Sequence, residues 1–102
     1  MAVRDTFLLE RYVARTSVGG SAASAARARA AAAAMRREGR QIRILRSFFM
    51  PDDELWFCLY EAASLDDVTE ASRRAGLAGG RIQQAHDDDS RPGSKTIWKE
   101  KR

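Results

Sequence analysis

Glu54-Leu55-Trp56-Phe57-Cys58-Leu59-Tyr60-Glu61, read ELWFCLYE, is the stretch that decides the class of fold. Aromatic and aliphatic residues fill it without a glycine or proline, which is the composition of a β-strand. Just before it, Gln41–Met50 (QIRILRSFFM) alternates Ile42, Arg43 and Ile44, then Leu45, Arg46, Ser47 and Phe48, and reads as another strand. Only Pro51, Asp52 and Asp53 separate the two, so they are expected to form an antiparallel hairpin. Pro51 has no amide donor, so it suits the turn better than a ladder.

Upstream, Thr6–Val13 (TFLLERYV) gives a first strand, and Thr16, Ser17, Gly19, Gly20 and Ser21 a loop. From Ala22 to Glu38 the chain is dense in alanine, the best helix former. Ser21 is placed to cap this helix and Gly39 to stop it. Downstream, Ser64-Leu65-Asp66-Asp67 opens a second helix, with a capping serine and two carboxylates at its positive end. Gly76 ends it, Leu77 closes the cap, and Arg81–His86 forms a short last strand. The order β-α-β-β-α-β is that of a ferredoxin-like α+β sandwich, an antiparallel sheet with both helices on one face. Residues 1–86 make this domain, and residues 87–102 are a polar tail with two apolar residues, Ile97 and Trp98.

Alternation then divides the hairpin strand between two faces. Leu55, Phe57 and Leu59 are uniformly apolar and are assigned to the helices. Trp56, Cys58 and Tyr60 then fall on the open face, joined from the first strand by Leu8 and Tyr12. Such a patch is larger than a soluble monomer usually exposes. A second copy packed sheet to sheet would cover it, making a homodimeric α/β barrel with Trp56, Cys58, Tyr60 and Leu8 at the interface.

The 102 residues suffice for one domain with one core. A single cysteine forms no internal disulfide, and no apolar run reaches the length of a membrane span, so a cytoplasmic protein with no membrane partner is expected. The net charge of +4 is uneven. Residues 1–50 hold ten arginines against Asp5, Glu10 and Glu38, whereas residues 51–102 hold eight basic against eleven acidic residues. A solvated basic helix accounts for this more simply than a nucleic-acid surface.

Groups able to do chemistry are few. No phosphate loop, dinucleotide fingerprint, CxxC, HExxH or nucleophile elbow occurs, so the catalytic residues are unknown. His86 is the lone histidine. With Asp87, Asp88 and Asp89 it forms the weak metal candidate, although such aspartate turns are commonly just solvated. Cys58 reads as an inert buried thiol. Glu10 and Arg11 point to opposite faces, so one lies inside the sandwich or an interface and needs a partner, and Glu61 is a candidate partner for an arginine. A ligand cavity between paired sheets is expected near Glu10, Tyr12, Cys58, Tyr60 and His86.

At FLLERY (Phe7–Tyr12) and WFCLYEAASLDDVTEASRRAGL (Trp56–Leu77) the chain resembles a family of small bacterial domains that includes a nickel-binding protein. The likeness spans most of residues 6–86, and Phe57–Ala62, Ser64, Val68 and Arg74–Leu77 are its most specific part. It implies a dimeric ferredoxin-like barrel and raises nickel as a cofactor, for which this chain offers His86 and would need ligands from both subunits. A proline that the family usually carries near Ala63 is missing here. Three functions follow as expectations. The first is a non-catalytic homodimer that binds a small ligand or metal. The alternative is a cofactor-independent dimeric barrel enzyme, an isomerase or oxygenase acting on a small hydrophobic compound. The third, ranked last, is a polyanion binder using the arginine-rich helix.

Overall fold

The computed structural model describes residues 4–88. Its elements run β1 (Asp5–Tyr12), α1 (Gly20–Arg37), β2 (Ile42–Met50), β3 (Leu55–Ala62), α2 (Leu65–Arg74) and β4 (Arg81–Ala85). The strands form one sheet of order β2-β3-β1-β4, and all three pairings are antiparallel. The expected ferredoxin-like arrangement is therefore present. The tail beyond Asp88, with Asp89, Ile97 and Trp98, lies outside the described residues.

The helix ends show why the chain turns where it does. α1 begins at Gly20, two residues before the expected start, and its cap is Gly19 at φ 71° with no side-chain hydrogen bond, not Ser21. At its far end Arg40 N donates to Met35 O and Gly39 N to Arg36 O, closing the last turn around a left-handed Gly39. α2 ends the same way, with Leu77 N on Ser72 O and Gly76 N on Arg73 O. Its start is capped as expected, Asp67 N donating to Ser64 Oγ at 3.2 Å.

The expected division of β3 is reversed. Trp56, Cys58 and Tyr60 face the helices and are almost wholly buried, while Leu55, Phe57 and Leu59 line the open face and are half-buried. Trp56, Cys58 and Tyr60 are thus core residues, not interface residues. The register agrees, since Phe7 lies opposite Tyr60 and Leu9 opposite Cys58, both on the helix side. Side-chain bulk accounts for the choice. α1 turns Ser24, Ala28, Ala31, Ala32 and Met35 inward, and α2 turns Val68, Ala71 and Ser72. Mostly small helix residues leave room above the sheet, which interiors do not tolerate empty. Trp56 and Tyr60 fill it from below. Leu8 and Tyr12 lie on the open face as expected, Leu8 half-buried and Tyr12 exposed.

Candidate functional site

On the open face, the two central strands and β2 bring apolar side chains together. Leu8 lies opposite Leu59, and Phe57 lies between Glu10 on β1 and Phe48 on β2. The rings of Phe48 and Phe57 are 5.5 Å apart at 33°. Leu55 and Met50 extend the patch toward the hairpin turn. Phe48 is 46 % exposed and Met50 44 %, values that leave substantial apolar area in water. Between Ile44 and Arg46 the register slips, leaving Leu45 as the extra residue of a β-bulge.

Charged groups frame this patch. Glu61 Oε1 accepts from Arg43 Nε at 2.8 Å and has Arg4 Nε at 3.8 Å, so Glu61 does pair with arginine as the sequence suggested. Arg11 occupies the helix side and donates Nη1 to Ala78 O at 3.2 Å. Glu10, its neighbour, sits half-buried on the open face opposite Arg81 and Phe57. Among the described residues the Glu10 carboxylate has neither a hydrogen bond nor an ion pair.

The five residues expected around one ligand do not converge. Glu10 and Tyr12 share the open face. Cys58 and Tyr60 lie in the core beneath the helices, each with no solvent exposure. His86 follows the end of β4, with 89 % of its side chain exposed and Nε2 3.5 Å from Asp88 Oδ1. A single chain therefore assembles no pocket from this set.

Burial governs the chemistry of the core pair. Loss of solvation pushes the Cys58 thiol up to about 11, only partly opposed by Tyr60 and by the charge of Arg29. Tyr60 is raised as well, first by burial and then by Cys58. Its hydroxyl is buried without a partner, for although Cys58 shares its surroundings the geometry is not that of a hydrogen bond. Cys58 is consequently a protonated thiol at neutral pH, poor as nucleophile or metal ligand. A thiol-reactive reagent should leave native Cys58 unmodified at pH 7 and label it fully after unfolding in guanidinium. Rapid stoichiometric labelling of the folded protein would refute a closed core.

The patterns that carried the sequence resemblance lie on this framework, the Phe7–Tyr12 motif on β1 and the Trp56–Leu77 motif running from β3 through α2 to its cap. The family model described as "Nickel responsive protein SCO4226-like" matches residues 7–84, nearly the whole of the described domain. The chain belongs to the SCO4226-like nickel responsive protein family. No curated protein and no solved structure matches it significantly. Membership of the SCO4226-like family prompts a test of the donor set. Nickel takes imidazole, thiolate and carboxylate ligands in a defined geometry. Among the described residues no group of three or more His, Cys, Asp or Glu side chains is placed to hold an ion. Cys58 is buried and protonated, and His86 with Asp88 is a two-donor pair in water. The described residues of one chain do not fit a nickel centre. No helix among them is long and apolar enough to cross a membrane.

What the sequence reading missed is the open-face set Leu55, Phe57, Leu59, Phe48 and Met50. A signal was available. Extending each parity of β3 to its end gives Leu55-Phe57-Leu59-Glu61 on one side and Trp56-Cys58-Tyr60-Ala62 on the other. Only the second row avoids placing a carboxylate under the helices, where its desolvation would be costly.

Proposed function

We propose that this protein acts as a non-catalytic homodimeric binding protein, its two sheets meeting through the open face. The observation that carries the reading is the apolar patch made by Leu8-Leu59 on β1 and β3 and by Phe57-Phe48 on β3 and β2, bordered by Arg46 opposite Leu59, Glu10 opposite Phe57 and the ion-paired Arg43 and Glu61. Apolar centre and charged rim form the pattern of a protein interface. An identical copy is the simplest cover, because a two-fold axis through the sheet lets one self-complementary patch satisfy both partners. In such a pair Glu10 and Tyr12 stand beside the contact and provide its polar groups. Sedimentation at micromolar concentration tests the reading. The expected mass is that of two chains, and a single-chain mass overturns it.

Metal binding in this reading falls to His86 with Asp88, completed by donors from the second subunit. Two exposed donors per chain predict weak nickel binding, with a dissociation constant of about 0.1 mM or above. Calorimetry should show that heat disappear in His86→Ala. Tight, submicromolar nickel binding that survives His86→Ala would rule this assignment out.

A further inference from the structure

We propose that the cleft between α1 and the edge strand β2 binds a small molecule through a phosphate group. Two adjoining hollows lie there, of about 320 and 440 Å³, and both are lined by Arg36 and Arg43. Arg4 and Arg40 complete the first and Arg29 the second. Five arginines thus line the two hollows, and their compensation is incomplete. Arg40 is held by Asp67, whose Oδ1 accepts from Nε at 3.0 Å and Nη2 at 2.6 Å. Arg43 and Arg4 share the single carboxylate of Glu61. Arg36 has no carboxylate, only Ile42 O at 3.0 Å from Nη1. The Arg29 guanidinium makes no hydrogen bond or ion pair among the described residues.

Five positive charges against Asp67 and Glu61 leave a surplus that repels itself in a concave site and is relieved by a bound anion. Each guanidinium presents five donors in a planar fork matched to phosphate oxygens, and Arg36 spends one of them. A doubly charged phosphate offsets more of the surplus than a carboxylate does. The walls are not wholly polar, for Ala32, Ile42 and Ile44 contribute apolar surface for the organic part of a ligand. Volumes of a few hundred Å³ suit a small molecule. A nucleic acid would instead need basic residues spread along an extended track. The site is built from one chain: Arg43 and its partner Glu61 also border the open face proposed above for sheet pairing, whereas Arg29 and Arg36 on α1 stand clear of it.

Calorimetric titration with inorganic pyrophosphate, beside inorganic phosphate and a single-stranded oligonucleotide, tests the proposal. Pyrophosphate should bind more tightly than phosphate, with a stoichiometry of one per chain. Arg29→Gln and Arg36→Gln should each weaken it about tenfold, the loss expected for one charge-assisted contact. Arg37→Gln, exposed on α1 outside the cleft, should leave it within about twofold. Arg29 has no structural bond to lose, so its variant stays informative even where Arg36→Gln disturbs the start of β2. No heat at millimolar pyrophosphate overturns the proposal, as does an equal loss in Arg37→Gln. Oligonucleotide binding that exceeds pyrophosphate binding and falls steeply with salt would assign the cleft to nucleic acid instead.

Discussion

Trp56→Ala should remove a large part of the folding free energy of this domain. Trp56 is 1 % exposed, on the helix side of the sheet between Arg11 of β1 and Phe49 of β2, so its truncation leaves a cavity in the core. Truncation of a buried aromatic costs about 3–5 kcal/mol, against a total stability of about 5–15 kcal/mol for ordinary domains. For a chain of this size the midpoint of thermal unfolding should fall by about 15 °C or more. Thermal circular dichroism measures it, and a change below about 5 °C would show that Trp56 is not a core residue. Its neighbour provides a contrast of opposite sign. Tyr60→Phe removes a buried hydroxyl that has no partner, so it should be neutral or stabilising by about 1 kcal/mol.

On the other face of the same strand the expected effects are on association, with folding spared. Phe57→Asp and Leu59→Lys should each convert a two-chain species into single chains at micromolar concentration. Both side chains point away from the helices, so far-UV dichroism should be retained. A two-fold contact buries each introduced charge twice, and an unpaired buried charge costs several kcal/mol, enough to weaken dimerisation by more than about a hundredfold. Sedimentation of both variants decides the matter. Retention of the two-chain mass in both would place the contact elsewhere on the molecule.

The hairpin, both helices and the strand order could be read from the chain because local rules point the same way. Alanine density, Ser64, Gly39 and Gly76 each favour the conformation they adopt. The face of β3 was harder because both of its rows are apolar. Hydrophobicity alone cannot rank Leu55-Phe57-Leu59 against Trp56-Cys58-Tyr60. The decision rests on the parity of Glu61, which desolvation keeps from the helix side, and on volume, a property shared between β3 and a helix distant in sequence. The binding residues were misplaced for the same reason, since Cys58 and Tyr60 moved to the core with Trp56 while Glu10 and Tyr12 stayed outside. The arginine cleft was visible only as a surplus of charge in the first half of the chain. That Arg36 and Arg43 would share its lining depends on how α1 settles beside β2.

The bulge in β2 bears on how crowded solutions of this protein behave. β2 is an outer strand whose far side is unpaired, and an open ladder of that kind can recruit foreign strands into fibrils. Leu45 interrupts the regular spacing of amides there, and Arg43 and Arg46 set like charges along the same margin. At the opposite margin β4 spans only Arg81–Ala85 and is half-exposed and polar, with Gln83 and Gln84 at its middle. Both margins therefore discourage lateral growth, so raising the concentration should favour closed, finite particles over precipitation.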